Sequence, residues 1–347
     1  MTDKRLRVLV VDDSLFMRSA IAKTLANGPF EVVGQAKNGT EALAEVARLS
    51  PDVITMDFNM PGMNGAETVR ALMQQRPTPV VMFSAHTKQG AKETFDALAA
   101  GAVDFVTKPH GEVSVDLSKI ADELTRKLIA AAAAKPRAAR APAGTRTAPM
   151  AAVSLARTSL AGGLPRLCVI AVSTGGPAAL SELIPALPAD LRVAVIVVQH
   201  MPAGFTHALA ERLDAVSRVT VSEAREGDKP MPGGVLIAPG DKHLELDARG
   251  LVTLTSGSPV NGCRPSADVT MLSAVHVYGR RTLGIVMTGM GKDGAAGALA
   301  IKKAEGKTCA QDQLTSVIYG MPKAALDAGA IDEVLPLADI ATWLRYA

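Results

Sequence analysis

The sequence predicts an α/β protein with two domains, each built on a parallel or mostly parallel sheet with helices on both faces. Three observations support this fold class. The chain has 347 residues, which suits about two domains of ~150 residues each. Short apolar runs alternate with segments of helical periodicity in both halves. A segment rich in Ala and Pro, without Asp or Glu, separates the halves at residues 130–166.

Five apolar runs in the first half predict five strands and therefore a (βα)5 domain, which we place at residues 1–125. Segments such as LFMRSAIAKTLAN and GTEALAEVARLS lie between these runs and space their apolar residues at helical intervals. The strand candidates are LRVLVV, FEVVGQA, DVITM, PVVMFSA and DFVTK.

Residues 126–164 are predicted to be an Ala/Pro/Arg-rich linker, because such a segment buries too little apolar area to offset its ordering entropy. Six cations lie between residues 130 and 166: Lys135, Arg137, Arg140, Arg146, Arg157 and Arg166. Removing them from the formal net charge of +3 leaves the rest of the chain negative. The basic charge is therefore in the linker, and we expect no nucleic-acid partner.

The second domain, placed at residues 165–347, is predicted to be a doubly wound, mostly parallel sheet with an added β-hairpin. The segment KHLELDARGLVTLTS alternates on both sides of DARG, which is typical of an antiparallel hairpin. The parallel strand candidates are RLCVIAV, RVAVIVV, GVLIAP, TLGIVM, KTCAQ and IDEVLPL.

The composition also bears on the surroundings of the protein. No apolar run reaches the ~18 residues of a membrane-spanning helix, so we expect no membrane insertion. The N-terminal apolar stretch is too short and too soon acidic for a signal peptide. The three cysteines are widely spaced and odd in number, as expected for reduced thiols. We therefore expect a cytoplasmic protein, and by default a monomer.

Five polar side chains follow strands of the first domain: Asp12, Asp13, Asp57, Ser84 and Lys108. Because the carboxyl ends of parallel strands meet at one edge, we expect these groups to lie together. Carboxylates there can bind Mg²⁺, and an ammonium and a hydroxyl can hold phosphoryl oxygens. The simpler alternative is that Asp13 and Ser14 cap the next helix and that Lys108 is a solvated charge.

The motifs VVDDS (10–14), DVITMDFNMPGMNG (52–65), VMFSA (81–85) and FVTKP (105–109) resemble those of response-regulator receiver domains. The resemblance implies a flavodoxin-like sheet and an Asp57 that accepts a phosphoryl group from a histidine kinase. It implies that Ser84 and Lys108 sense the phosphate, and that Phe105 occupies an aromatic switch position. The implied Mg²⁺ ligands are Asp12, Asp13, Asp57 and the backbone carbonyl of Asn59.

Two candidate catalytic residues follow strands of the second domain. Ser173 comes directly after VIAV and before the helix start at Gly175, where backbone N–H groups are unpaired. It does not lie in the G-x-S-x-G turn of α/β-hydrolases, and capping the helix is the alternative role. His200 follows the next strand, where it can act as a general base or be purely structural.

The stretch TGMGKDG (288–294) permits two interpretations. Its G-x-G-x-x-G spacing suits a dinucleotide-binding turn, with Asp312 ~20 residues on as the ribose-binding acid. Alternatively, Asp293 completes a triad with Ser173 and His200, since all three lie beyond strand ends. The chain order Ser, His, Asp does not decide between them, because a triad is defined by its geometry.

Residues 165–347 resemble the catalytic domain of chemotaxis protein-glutamate methylesterases, the CheB family. The resemblance implies that Ser173 is the nucleophile, His200 the base, Asp293 the orienting acid and the Met290 N–H an oxyanion donor, with no cofactor in this domain. The matching motifs are AVSTGGP (171–177), VVQHMPAGFT (197–206), GVLIAPGDKHL (234–244), CRPSADV (263–269), VMTGMGKDGA (286–295) and AQDQLTSVIYGMP (310–322).

The implied function is a phosphorylation-activated serine hydrolase. It would demethylate glutamyl methyl esters, and deamidate glutamines, on the cytoplasmic helices of methyl-accepting chemotaxis receptors. We expect the unphosphorylated receiver to cover the Ser173 site. The alternatives are an NAD-dependent output domain, an interaction module with an inert second domain, and a DNA-binding regulator, which lacks a convincing basic recognition helix.

Overall fold

The computed structural model describes residues 5–85, 87–108, 117–134 and 166–347. These residues form a five-stranded parallel sheet in the N-terminal half and a seven-stranded parallel sheet in the C-terminal half. A separate two-stranded antiparallel hairpin belongs to the second half. The predicted fold class is therefore confirmed, including the added hairpin.

The first sheet has the strand order β2-β1-β3-β4-β5, which is the flavodoxin-like order. Asn38 and Asn64 begin α2 and α3 by accepting the backbone N–H groups of Glu41 and Glu67. The strands are β1 (Leu6–Val11), β2 (Phe30–Ala36), β3 (Val53–Asp57), β4 (Val80–Ser84) and β5 (Asp104–Thr107). The helices are α1 (Leu15–Ala26), α2 (Gly39–Leu49), α3 (Gly65–Gln75), α4 (Lys88–Ala100) and α5 (Ala121–Ala133).

Helices cover both faces of the first sheet, because its central strands are apolar on both sides. Val8 and Val10 of β1 belong to the core beneath α1 and α5. Leu9 and Val11 of the same strand belong to the core beneath α2, α3 and α4. The polar edge at the carboxyl ends of the strands is therefore held by a sheet packed on both faces. The domain bounds at residue 125 and the linker bounds stay predictions, and residues 135–164 lie outside the described residues.

The second sheet has the order β14-β13-β12-β6-β7-β9-β8. One of its strands, β8, was not predicted, because its four residues show no apolar run. The sheet strands are β6 (Arg166–Val172), β7 (Val193–Gln199), β8 (Thr220–Glu223), β9 (Gly234–Ile237), β12 (Thr282–Val286), β13 (Lys307–Gln311) and β14 (Glu333–Leu335). The hairpin strands are β10 (His243–Leu246) and β11 (Val252–Thr255). The helices are α6 (Gly176–Ala186), α7 (Phe205–Asp214), α8 (Ala267–Tyr278), α9 (Ala295–Lys303), α10 (Met321–Asp327) and α11 (Leu337–Tyr346).

The second sheet is doubly wound, as alternate residues of β6 demonstrate. Cys168, Ile170 and Val172 pack in the core formed with α6, α7 and α11. Leu167, Val169 and Ala171 pack in the core formed with α8, α9, α10 and the hairpin. Because both faces are covered, the loops at the carboxyl ends of β6, β7 and β12 are left to form a site.

The two domains pack against each other through α4, which contacts α6 and α7. The rings of Phe105 and Phe205 stack across this contact with their centroids 4.6 Å apart. Arg212 Nη1 lies 3.0 Å from Asp96 Oδ1 at the same interface. In the parts of the chain that the structure describes, no helix is both long and apolar enough to cross a bilayer.

Candidate functional site

The first polar edge brings together Asp12, Asp57 and Lys108. Lys108 Nζ lies 2.9 Å from Asp57 Oδ1 and 3.1 Å from Asp12 Oδ2. Lys108 is therefore an ion-pair partner of both carboxylates and not a freely solvated charge. Burial raises the pKa of Asp57 to about 6, against the opposing effect of Lys108 and with a further increase from the Asp12 charge.

The acidic group fits a divalent cation. Carboxylate oxygens of Asp12, Asp13 and Asp57 lie within 4.8 Å of one another, and Asp12 and Asp57 are buried. Hard oxygen ligands are what Mg²⁺ prefers. The Asn59 side chain donates to Glu93 Oε2 over 3.2 Å, and the predicted ligand is the backbone carbonyl of the same residue.

The two serines near this edge have different partners. Ser14 caps α1, since its Oγ accepts the Met17 N–H over 3.3 Å. Ser84 Oγ donates to the Gly90 carbonyl over 3.1 Å and also hydrogen-bonds Thr94 Oγ1. Ser84 is thus engaged with α4, which is the helix that contacts the second domain.

In the second domain, Ser173 directly follows β6 and is fixed by backbone hydrogen bonds. Its N–H donates to the Thr288 carbonyl over 3.0 Å, and its carbonyl accepts from Gln199 Nε2 over 3.1 Å. Helix α6 is capped at Gly175, which has φ +77° and makes no side-chain cap bond. Ser173 is therefore not the capping residue of α6.

His200 follows β7 and pairs with Asp293. The His200 N–H donates to the carbonyl of Val172, the residue before Ser173, over 3.2 Å. The His200 Nε2 atom lies 2.8 Å from Asp293 Oδ2. Two loops that are 93 residues apart in sequence are therefore joined by one imidazole–carboxylate contact.

Asp293 is almost fully buried and is surrounded by donors from one end of α8. Its Oδ1 accepts from Ser266 Oγ over 2.6 Å, and its Oδ2 accepts from the Ala267 N–H over 2.6 Å. Burial would raise the pKa of Asp293, but His200, Ser266 and Ala267 together lower it to about 2. The group is a carboxylate at neutral pH.

The other nitrogen of His200, Nδ1, faces Cys263, whose Sγ lies 3.5 Å away. Burial would lower the pKa of His200, but hydrogen bonds with Asp293 and Cys263 outweigh it and raise that pKa to about 9. In this arrangement His200 is mainly protonated near neutral pH, with Nδ1 partnered by a thiol.

Glycines allow the 288–294 loop to approach Ser173 closely. A Cβ on Gly289 would lie 2.8 Å from the Ser173 Cβ, so any other residue would displace the loop. Met290 follows at the cavity surface with 39% of its area exposed. The loop is held in place by Ile318, whose carbonyl accepts the Gly289 N–H over 3.0 Å.

The ribose-binding acid of the dinucleotide alternative, Asp312, and the acid within the glycine turn, Asp293, are both already bound by protein groups. Asp293 pairs with His200, and Asp312 Oδ1 accepts the Thr315 N–H over 2.9 Å in its own loop. A diphosphate at residues 289–294 would also bring negative charge beside Asp293. The loop is better suited to hold an acid than a dinucleotide.

One cavity of about 330 Å³ collects the candidate catalytic residues. Its lining from the second domain includes Ser173, His200, Met290, Cys263 and Asp293. The receiver side contributes Glu123, Arg126 and Lys127, all from α5. A helix of the first domain therefore forms one wall of the cavity around Ser173.

The sequence did not reveal the individual roles of the groups that hold Asp293 and His200. Cys263 and Ser266 lie in the CRPSADV motif, which the sequence identifies only as a family motif. His243 had no evident partner in the sequence, yet its Nδ1 accepts the Ser266 N–H over 3.2 Å. Its Nε2 lies 3.0 Å from the Ser258 carbonyl oxygen. One sequence signal for this region was the dipeptide Asn261-Gly262, which predicts a tight turn directly before Cys263.

Fold and site together define a class: a receiver-type α/β domain joined to a second α/β domain with a serine, a histidine and an aspartate around one cavity. Residues 8–117 match the response regulator receiver domain family, and residues 168–344 match the CheB methylesterase family. The chain therefore belongs to the CheB methylesterase family.

Relatives match over nearly the whole chain. A protein-glutamate methylesterase/protein-glutamine glutaminase of Symbiobacterium thermophilum is 49% identical over 99% of this chain and 97% of its own length. The protein of the same name from Pyrococcus abyssi is 44% identical over 98% of this chain and 93% of its own. The crystal structure of the Thermotoga maritima CheB methylesterase catalytic domain is 44% identical, with a TM-score of 0.51, and covers 53% of this chain and 98% of that one.

Proposed function

We propose that this protein is a phosphorylation-activated esterase and deamidase. Its substrates are glutamate methyl esters, and glutamine amides, on the cytoplasmic helices of methyl-accepting chemotaxis receptors. One observation carries the proposal: the His200–Asp293 pair lines the same cavity as Ser173. The names of the relatives support the glutamate methyl ester and the glutamine amide as substrates, and a receptor substrate would place the enzyme in the cytoplasm.

In the proposed reaction, neutral His200 takes the Ser173 hydroxyl proton while Oγ bonds to the ester carbonyl carbon. Nδ1 is the nitrogen assigned to this step, because Nε2 is held by Asp293, and the Ser173 hydroxyl then takes the place of the Cys263 thiol at Nδ1. The tetrahedral intermediate collapses with cleavage of the carbon–methoxy bond, and methoxide leaves as methanol with the imidazolium proton. Water then attacks the glutamyl ester of Ser173, His200 takes its proton, and Ser173 Oγ regains a proton as glutamate leaves.

The oxyanion is stabilised by the backbone N–H of Met290. The support for this role is the close approach of the Gly289–Met290 turn to Ser173. One such donor is typically worth ~3–4 kcal/mol in the transition state. Asp293 keeps the imidazole oriented through Nε2 and stabilises the cation that forms during each proton transfer.

In the receiver, Asp57 takes the phosphoryl group from a histidine kinase, and Ser84 and Lys108 bind the phosphoryl oxygens. Mg²⁺ would be held by Asp12, Asp13, Asp57 and the Asn59 carbonyl, and when bound it supplies positive charge to offset that of the incoming phosphoryl group. Lys108 already bridges Asp57 and Asp12, which supports a role at the acceptor. Domain bounds of 1–125 and 165–347 are part of this proposal, and α5 of the first domain continues past its bound to Ala133.

Regulation follows from the position of α5. Glu123, Arg126 and Lys127 line the cavity that contains Ser173, so displacing them would widen the access of a receptor helix to the serine. Phosphorylation of Asp57 would loosen this contact. Ser84 binds Gly90 and Thr94 of α4, and α4 packs on α6 and α7, which gives a route from the phosphate to the interface.

The proposed chemistry is tested by methanol release from methylated receptor fragments. Ser173→Ala is expected to abolish most of the release while Asp57 is still phosphorylated. Asp57→Asn is the matched variant, and it should retain the unstimulated rate but lose the response to a phosphodonor. Near-normal release by Ser173→Ala would refute the assignment of the nucleophile.

The covering role of the receiver is tested with residues 166–347 alone, because the corresponding domain of the Thermotoga maritima protein was crystallised by itself. This fragment should release methanol faster than the unphosphorylated full chain. A rate no higher than that of the full chain would contradict inhibition by covering.

A further inference from the structure

A two-residue turn, Val260 to Cys263, lies against the His200–Asp293 pair. Val260 and Cys263 exchange both backbone hydrogen bonds, at 2.9 and 3.0 Å. The central residues Asn261 and Gly262 have φ values of +52° and +75°. Positive φ at both central positions is the hairpin geometry for which the Asn-Gly dipeptide is favoured. The Asn-Gly dipeptide itself therefore favours the shape of this turn, and this shape fixes where the Asn261 side chain lies.

The Asn261 amide nitrogen donates to two carboxylates. Its Nδ2 lies 3.1 Å from Asp293 Oδ1 and 2.8 Å from Asp268 Oδ2. A carboxamide nitrogen carries two N–H groups, so it can serve both acceptors at once. Asn261 is thus placed between two acids that would otherwise repel each other.

Asp268 and Asp293 differ in their other hydrogen-bond partners. Asp268 Oδ1 accepts the Gly297 N–H over 2.7 Å, which ties it to the start of α9. Asp293 Oδ2 is shared by the Ala267 N–H and His200 Nε2. Burial and the Asp293 charge raise the pKa of Asp268, while its hydrogen bonds with Gly297 and Asn261 oppose the increase. Without Asn261, the two carboxylates would face each other with one donor fewer.

We propose that Asn261 is a positioning residue for the hydrolysis, holding Asp293 between Asp268 and His200 so that the imidazole is correctly oriented and its basicity is set. This inference rests on the proposed function of the Ser173 site. Asn261 acts through Asp293 and His200, and it has no role in bond making.

The test uses two substitutions that both tolerate the positive φ of the turn. Asn261→Gly retains the backbone geometry and removes the amide. Asn261→Asp retains the side-chain size and replaces the donor by an acceptor with negative charge. Glu305→Gly is the matched control, since Glu305 also has a positive φ, +62°, and lies at the end of α9 outside the cavity lining.

The assay is methanol release by the full chain with acetyl phosphate as phosphodonor, over a range of pH. Asn261→Gly should lower kcat about tenfold with KM within twofold of wild type. The acid limb of its kcat profile should move to higher pH, because a less stabilised Asp293 carboxylate favours protonated His200. Asn261→Asp should show a larger loss and a larger shift in the same direction, and Glu305→Gly should resemble wild type.

The outcomes separate the two proposals. If wild type releases methanol, Ser173→Ala does not, and Asn261→Gly keeps the wild-type kcat and pH profile, the positioning role is overturned and the proposed function stands. If kcat falls without any shift of the acid limb, Asn261 only stabilises the loop and the inference is likewise overturned. If wild type releases no methanol, the proposed function fails and the inference fails with it.

Discussion

At the scale of single residues, His200 determines how the site responds to pH. Its imidazole is held between Asp293 at Nε2 and Cys263 at Nδ1, and its pKa is raised to about 9. A general base acts in its neutral form, so the same contacts that fix the ring also reduce the fraction that can accept a proton near neutral pH.

The first prediction concerns the pH dependence of the reaction. In the closed full chain, kcat should increase about tenfold per pH unit below pH 9, since the neutral fraction of His200 increases in that proportion. A kcat–pH profile of methanol release measures this directly. An acid limb with its midpoint at or below pH 6.5 would contradict the raised pKa.

The second prediction concerns stability. The folded-state pKa of His200 exceeds its unfolded value, so the stabilisation is complete below about pH 6.5 and is lost as pH increases through about 9. The advantage of wild type over His200→Gln in free energy of unfolding should be about 3 kcal/mol larger at pH 6 than at pH 10. Urea unfolding of residues 166–347 at both pH values measures it, and an advantage that does not depend on pH would contradict it.

The third prediction concerns Cys263, whose hydrogen bond helps to raise the His200 pKa. Cys263→Ala removes that bond and leaves Nδ1 without its thiol partner. The acid limb of the kcat profile should therefore move to lower pH than in wild type. A limb at the wild-type position would mean that the thiol has no influence on the base.

At the scale of elements, the loop after β13 connects the two turns around Ser173. Val317 packs over Gly175, where a Cβ would lie only 2.6 Å from the Val317 Cβ. Ile318 bonds Gly289 through its carbonyl and Thr288 Oγ1 through its N–H. The loop thus sets the spacing between the turn at Ser173 and the turn at Gly289.

Gly175→Ala tests this spacing, with Gly329→Ala as the matched control. Both glycines have a positive φ, +77° and +68°, but a Cβ on Gly329 meets no atom within 4 Å. Backbone strain should lower the free energy of unfolding of both variants by about 1–2 kcal/mol. The clash with Val317 should lower the free energy of unfolding of Gly175→Ala by about 1–3 kcal/mol more. This variant should also lose most of its kcat. Equal unfolding free energies for the two variants would contradict this account.

At the scale of the whole molecule, the receiver and the second domain share an apolar interface with a few polar contacts. Phe105 stacks on Phe205, which lies five residues after His200 in the sequence. Lys127 lies over the Phe105 ring, with Nζ 4.9 Å from its centroid, and also lines the Ser173 cavity. The interface therefore connects the receiver strand β5 with the wall of the cavity.

The Asp96–Arg212 pair allows this interface to be weakened without touching either site. The pair is largely exposed and is worth about 0–1 kcal/mol, but Asp96→Arg would place two cations together. Methanol release without phosphodonor should increase severalfold in Asp96→Arg. The double variant Asp96→Arg, Arg212→Asp restores an ion pair with the charges exchanged, so its rate should return to that of wild type. If the double variant stays as fast as Asp96→Arg, this pair does not control the activity.

Much of the fold follows from sequence patterns, because buried parallel strands such as LRVLVV and VAVIVV are apolar on both faces. The strand β8 was missed since TVSE has no such pattern and is recruited by its pairing with β9. The positions of Ser173, His200 and Asp293 after strands predict that they lie together, and the three residues line one cavity. The partners of Asp293 could not be found in this way, because Asn261, Ser266 and Ala267 belong to another loop and to the start of α8.

The sequence by itself determined two α/β domains, the polar residues at their strand ends and the family to which they belong, because these depend on local periodicity and short motifs. Only the tertiary structure decided that Nε2 of His200 is paired with Asp293, that Cys263 partners Nδ1, and that α5 forms a wall beside Ser173. The reason is physical: hydrogen-bond geometry, burial and the resulting pKa values depend on groups far apart in the chain, and only packing brings them together.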